Sequence, residues 1–204
     1  MIAGVILAGG RSSRLGGGDK SLLTIAGEPM LGRVIDRFAP QVASLAINAN
    51  GDAMRFAAFR LPVLADTITG YAGPLAGILA GLDWAATLAG VTHLATVAGD
   101  TPFLPRDLVE RLAAGRSARI VIAASGGREH PVVGLWPLAT RLPLAEFLAD
   151  NATRRVTAFT QAMGAGHVEF DLLQGPSGAV DPFYNVNTPD DLATARTLAK
   201  EMAP

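Results

Sequence analysis

The chain has 204 residues, half of them apolar, with 17 Lys and Arg against 18 Asp and Glu for a formal net charge of −1, and no cysteine. The length favours a single domain, 1–204, with one sizeable core, and the lack of cysteine excludes disulfides, thiolate zinc sites and a cysteine nucleophile. A near-neutral chain has no basic field to hold nucleic acid or an anionic membrane, so an anionic substrate must be held by local groups: backbone amides, one or two Lys or Arg side chains and a metal.

In chain order, Met1 to Leu7 is apolar, lacks a basic flank and runs straight into a glycine loop. It reads as a buried strand over Ile2–Leu7 and not as a signal peptide. Strands are also expected at Val42–Ile47, Pro62–Ala65, His93–Ala98 and Ile120–Ala124, alternating with helical spacing at Met30–Phe38, Leu75–Leu88 and Leu108–Ala114. Such alternation argues for a parallel sheet with helices on both faces. The pattern then changes, because Ser125-Gly126-Gly127-Arg128 joins Ile120–Ala124 to Pro131–Trp136 as a short glycine turn, which suits antiparallel pairing. Helices near Leu138–Leu148 and Arg154–Met163, a strand His167–Asp171 and a loop Leu173–Pro182 lead to the last helix. Thr188 caps it, Pro189 takes the first helical position, and Asp190 and Asp191 lie in the first turn. The longest nearly apolar stretch, Tyr71 to Leu82, contains Pro74 and three glycines and stops at Asp83, short of a membrane span. A soluble, cytoplasmic protein is expected.

In open α/β sheets ligands bind at the carboxyl ends of the strands. The glycine-rich and polar residues collect there: Ala8–Lys20, Asn48–Asn50, Asp66–Gly73 and Gly99–Pro102. The five glycines of the first loop, Gly9, Gly10, Gly16, Gly17 and Gly18, let the backbone approach a phosphate chain, with Arg14 and Lys20 adding positive charge. It is not a Walker A loop, because Asp19 stands where that motif needs glycine before lysine. Nor is it a dinucleotide fingerprint, since no G-x-G-x-x-G follows the first strand. The three histidines, His93, His130 and His167, are too far apart for a helical metal pair.

The run from Leu7 to Leu22, with LAGG, RLGG and DK, resembles the signature of molybdenum cofactor guanylyltransferases. The likeness continues in order through Asn48-Ala49-Asn50, Asp66, Gly73-Pro74-Leu75-Ala76-Gly77-Ile78, Gly99-Asp100-Thr101-Pro102, Glu129-His130-Pro131, Arg154-Arg155-Val156 and Asn185-Val186-Asn187-Thr188-Pro189. Each motif alone is weak, but the ordered set covers nearly the whole chain. The resemblance implies a three-layer α/β/α, Rossmann-like nucleotidyltransferase fold, mostly parallel with one antiparallel strand. It implies a nucleotide-binding half to about residue 105 and an acceptor-binding half beyond it. The implied activity joins GMP from GTP to the terminal phosphate of molybdopterin, with Mg2+ and transient contact with proteins that deliver or receive the cofactor.

By the same resemblance, Leu7, Ala8, Gly9 and Gly10 line the nucleotide, Lys20 and Arg14 meet its phosphates, and Asn48 and Asp66 hold base and sugar. Relatives that transfer cytidylyl or uridylyl groups usually carry alanine where Gly9 stands, so the missing methyl group would make room for a purine. The lesser alternative for Asn48 and Asp66 is that they merely cap turns at strand ends, where both residue types are common. Asp100 follows an apolar strand and suits Mg2+, which takes one or two carboxylates plus phosphate oxygens and waters; it could otherwise cap the next helix. His130, Arg154, Asn185 and Asn187 are implied for the acceptor. Their plainer alternatives are a packed core histidine, a solvated helix start and a pair of helix caps. A cytidylyltransferase of the same fold, or a catalytically silent nucleotide-binding module, are the competing functions.

Overall fold

The computed structural model describes residues 1–9, 19–68, 73–115, 120–150, 154–175 and 178–201. β1 (Ile2–Leu7) precedes a small hairpin of β2 (Thr24–Ile25) and β3 (Glu28–Pro29), then α1 (Met30–Phe38), β4 (Ser44–Asn48), a 3-10 helix over Ala53–Phe59 and β5 (Val63–Leu64). α2 (Pro74–Ala85), β6 (His93–Ala98), α3 (Leu108–Ala114), β7 (Val121–Ser125) and β8 (Arg128–Pro137) follow. The chain continues with α4 (Arg141–Asp150), α5 (Val156–Ala162), β9 (Gly166–Phe170), a hairpin of β10 (Leu173–Gly175) and β11 (Gly178–Val180), and α6 (Pro189–Glu201).

Seven strands form one sheet in the order β5-β4-β1-β6-β8-β7-β9. Within this sheet, among the described residues, β8 alone opposes its neighbours, β6 and β7; the sheet's other pairings are parallel. The expected mostly parallel sheet with one antiparallel strand is the observed one. The reversal has a local cause in Gly126 and Gly127, whose φ values of 55° and 76° suit a tight hairpin turn. Within this pair the register jumps: Ile122 faces Gly134, but Ala123 faces His130. The irregularity falls at Pro131, which has no N–H to give to a ladder.

The sheet is buried on both faces, which explains the almost unbroken apolar run of β1. Ile6, Ile47 and Val97 pack on one side with Leu31, Val34 and Phe38 of α1 and Leu108 and Leu112 of α3. Val5, Leu94, Ile122 and Trp136 pack on the other with Ile78 and Leu82 of α2, Leu144 and Leu148 of α4, and Phe159 of α5. A third cluster seats Leu192, Ala195 and Leu198 of α6 against Ile25, Met30, Phe103 and Val186. α2 lies close on the sheet because two glycines four residues apart face it. A Cβ on Gly81 would come within 2.8 Å of Leu94 Cδ2 and 3.0 Å of Val5 Cγ2, and one on Gly77 within 3.0 Å of Leu7 Cδ2. The helix therefore runs back along the strands, with its N-terminus at their carboxyl ends. Among the described residues no helix is long and apolar enough to cross a membrane.

The expected loop Leu173–Pro182 contains the β10–β11 hairpin, and Leu138 begins a short 3-10 turn before α4. The hairpins and the Ala53–Phe59 helix are too short to impose a period on the sequence.

Candidate functional site

The carboxyl edge of the sheet is laced together by its backbone. Ala8 N–H donates to Asn48 O at 2.8 Å and Gly99 N–H to Leu7 O at 2.9 Å, so the ends of β4, β1 and β6 lie level. Just beyond this edge Lys20 Nζ donates to Asp100 Oδ2 at 2.5 Å and to Asn187 Oδ1 at 2.6 Å. The Lys20 and Asp100 side chains are only 13% and 21% exposed, so water screens their attraction less than at an open surface. Asp100 Oδ1 is buried and has no hydrogen-bond partner among the described residues. Asp100 does not cap the next helix, because Asp107 occupies the N-cap of α3.

Asn187 reaches this point through two local devices. Val186 N–H donates to Asp100 O at 3.0 Å, tying the segment to the end of β6. Thr188 and Asp191 then form a reciprocal cap: Asp191 N–H donates to Thr188 Oγ1, while Asp191 Oδ2 accepts from the amides of Thr188 and Asn187. These amide bonds, that of Asn187 first, hold the Asp191 carboxyl below its usual range. Asn185 and Asn187 are both exposed with Val186 buried between them, as an extended segment requires.

On the β4 side, Asn48 Nδ2 donates to Asp66 Oδ1 at 3.0 Å and Asn50 Nδ2 to Asp66 Oδ2 at 2.7 Å. Asp66 N–H returns a bond to Asn50 Oδ1 at 2.9 Å. Asp66 is thus fixed by two asparagines of one strand end. Leu7 is half-buried, Ala8 buried and Gly9 exposed. Among the described residues a Cβ on Gly9 would meet only Ala49 Cα, at 4.0 Å, so their packing does not demand glycine there. Gly10 and Arg14 lie outside the described residues.

On the acceptor side His130 is half-buried against the Phe183 ring, 4.7 Å away between centroids. Its Nε2 is 2.8 Å from Ser125 Oγ, which itself donates to Asp181 Oδ1 at 2.8 Å. A hydroxyl has one proton, so Ser125 must accept from His130, and the neutral ring carries its hydrogen on Nε2. Burial lowers the histidine pKa, against an opposing pull from Asp181 and with a further push down from Arg128. Serine bonds to aspartate here, which is not the order of a nucleophilic triad. Arg154 is exposed at the start of α5, with its carbonyl oxygen 3.9 Å from where a Gly73 Cβ would stand, beside the N-terminus of α2.

Lys20, Asp100 and Asn187 thus come together, as do Asn48 and Asp66, whereas His130 belongs to its own cluster with Ser125 and Asp181. Sequence reasoning placed Asn50 at the strand end and in a motif but gave it no role, which the alternation with Asn48 could have suggested, and it missed Ser125, Asp181 and Arg55 as site residues, which no spacing marks. A separate concavity of about 560 Å3, lined by Met1, Ile2, Gln41, Ala43, Thr92 and His93, lies at the opposite edge of the sheet and has no carboxylate side chain.

An α/β sheet with a lysine–aspartate pair at its carboxyl edge fits an enzyme that handles nucleotides, and residues 4–165 match the model of the MobA-like NTP transferase domain. The class is therefore that of nucleotidyltransferases. A molybdenum cofactor guanylyltransferase of Mesorhizobium japonicum is 52% identical over 204 residues, covering 98% of this chain and 97% of its own. One from Rhodopseudomonas palustris is 49% identical, covering 96% and 92%. The chain belongs to the molybdenum cofactor guanylyltransferase family. Among solved structures, molybdopterin-guanine dinucleotide biosynthesis protein A of Archaeoglobus fulgidus superposes with a TM-score of 0.76 over 99% of this chain and 100% of its own, at 19% identity. At that identity the likeness speaks for the fold alone.

Proposed function

We propose that the protein transfers GMP from GTP to the terminal phosphate of molybdopterin, forming the guanine dinucleotide cofactor and pyrophosphate with Mg2+ as the metal. The observation that carries the reading is the Lys20–Asp100 pair at the strand ends, 2.5 Å apart, with one Asp100 oxygen left without a partner among the described residues. A hard carboxylate oxygen suits Mg2+. Among the described residues no group of three acidic or histidine side chains stands ready for a metal, so most ligands would be phosphate oxygens and water. A related fold from Mycobacterium tuberculosis, 20% identical with a TM-score of 0.67 over 96% of this chain and 98% of its own, was solved as a complex with manganese. When bound, the metal would neutralise charge on the triphosphate.

In the proposed step a phosphate oxygen of the acceptor forms a bond to the α-phosphorus of GTP. The bond from that phosphorus to the bridging oxygen breaks, and pyrophosphate leaves with the electron pair. The nucleophile is already an anion, so no general base is needed. Lys20, and Arg14 from outside the described residues, would balance the charge spreading over the phosphates, while Asp100 would anchor the metal. The backbone of Leu7, Ala8, Gly9 and Gly10 would line the nucleotide, and Asn48 and Asp66 would hold base and sugar. The open space at Gly9 supports a purine. The nucleotide would occupy the half up to about residue 105. The acceptor would occupy the remainder, through Asn185, Asn187, Arg154 and His130. The site of action would be the cytoplasm, with transient contacts to proteins that supply and receive the cofactor.

Incubation with molybdopterin, Mg2+ and each of the four NTPs, scored for pyrophosphate and dinucleotide, tests this. GTP should give both products. Turnover with CTP instead would make the protein a cytidylyltransferase, and nucleotide binding without pyrophosphate would make it a silent module.

A further inference from the structure

Arg55 sits on the 3-10 helix Ala53–Phe59, between the lysine segment and the Asn48–Asp66 pair. Its Nε donates to Asp19 Oδ2, the residue before Lys20. Its two terminal nitrogens donate to Asp52 O at 2.5 Å and Asn50 O at 2.6 Å. Gly51, with φ of 85°, brings those two carbonyls to one cation; a Cβ on it would lie 3.4 Å from Arg55 Nη1. The buried Phe56 ring backs the guanidinium at 4.6 Å. Asp19 is 13% exposed and Arg55 26%, so the ion pair is shielded. Asn50 in turn holds Asp66 through two hydrogen bonds. One planar cation therefore links Asp19, next to Lys20, with Asn50 at the end of β4, which holds Asp66; Lys20 and Asp66 lie 46 residues apart (66 − 20) in the sequence.

We propose that Arg55 is a positioning residue that sets the distance between the phosphate-binding lysine and the base- and sugar-binding pair, so that one nucleotide can engage both at once. This rests on the reading above, in which Lys20 takes phosphates and Asp66 the nucleoside. Arg55 touches no substrate in this scheme. A nucleoside alone or a polyphosphate alone tolerates a shifted partner segment, whereas the joined molecule does not. Its loss should therefore appear as lost linkage between two subsites and not as lost contact at either. Lysine at 55 keeps the charge but cannot fork to three acceptors.

The test compares wild type with Arg55→Ala, Arg55→Lys, Asp19→Asn and the Arg55→Ala/Asp19→Asn double variant, all checked for thermal midpoint. Dissociation constants are measured with Mg2+ for GTP, guanosine and inorganic pyrophosphate, and KM and kcat for GTP. Arg55→Ala should weaken GTP roughly tenfold and raise its KM similarly, leave guanosine and pyrophosphate within about twofold, and change kcat by less than about threefold. Arg55→Lys should fall between wild type and alanine, and the double variant should be no worse than Arg55→Ala alone. Equal losses for guanosine and GTP, unchanged GTP affinity, or additive effects of the Arg55 and Asp19 changes would each overturn the proposal. A wild type that prefers another nucleotide would remove the guanine assignment only, because that nucleoside and its triphosphate still test Arg55. A wild type that binds no nucleotide removes both.

Discussion

Gly77 of α2 and Asn48 of β4 are packed so closely that a Cβ on Gly77 would overlap Asn48 Oδ1 and stand 2.9 Å from its Cγ. The obstructed atom is the end of a short side chain, so the cheapest relief is rotation of Asn48 away from Asp66. Helix propensity favours alanine over glycine by about 1 kcal/mol, and overpacking opposes it by about 1–3 kcal/mol, which leaves a net loss of at most about 2 kcal/mol. Gly77→Ala should therefore shift the thermal midpoint by only a few degrees while raising KM for GTP about tenfold. The Gly77→Ala/Asn48→Ala double variant should resemble Asn48→Ala alone, since the obstructed group is gone. Unchanged KM in Gly77→Ala would show that Asn48 has no part in nucleotide binding.

Asp100→Asn keeps the volume of the side chain and its bond from Lys20 but removes the charge. Transfer should fall by about two to three orders of magnitude, the scale seen when one preorganised charge-stabilising group is removed. Lys20 retains Asn187 as a partner, so circular dichroism and the melting profile should stay close to wild type. Activity at the wild-type level would remove the metal assignment.

His130 is held neutral by burial, with a folded pKa below its ordinary 6.5. A depressed histidine contributes stability that is fully present above 6.5 and is lost as pH falls from there through the folded value. His130→Gln can still donate to Ser125 but cannot titrate. Melting midpoints measured from pH 8 to 5 should therefore fall more steeply for wild type than for the variant. Nitrogen-15 NMR at pH 8 should find the hydrogen on Nε2, and a hydrogen on Nδ1 would contradict the assigned bond to Ser125.

Asp191→Ala leaves the Thr188 cap of α6 but removes its reciprocal partner, the carboxylate that holds the Thr188 and Asn187 amides. It should cost about 1 kcal/mol at neutral pH, as loss of a capping group does. The wild-type carboxyl is depressed below its ordinary 3.8, so its contribution persists above that value and is lost as pH falls through the lower, folded one. Denaturant titrations at pH 7 and at about pH 2.5 should show the gap between wild type and variant narrowing in acid. A several-fold loss of transfer at neutral pH should accompany it, because Asn187 orients Lys20.

The sequence by itself determined the layering. β1, β6, α1 and α3 have the bounds that their apolar runs and helical spacing predict, because burial on both faces of a strand, or on one stripe of a helix, leaves a period that can be read locally. Thr188 and Asp191 likewise meet within one helical turn. The glycines between β7 and β8 made the antiparallel turn legible. Only the tertiary structure decided which polar side chains meet. Lys20 and Asp100 are 80 positions apart and Lys20 and Asn187 are 167 apart, so no local pattern pairs them; ordered family motifs named all three but not their bonds. Arg55 left no trace at all, since a lone arginine on a short 3-10 helix looks like any solvated charge until its partners are in place. Ser125 and His130 lie on the regular part of the hairpin next to the glycine turn, before the register shifts, but their third partner Asp181 is 56 positions from Ser125 and reaches them only through the tertiary fold.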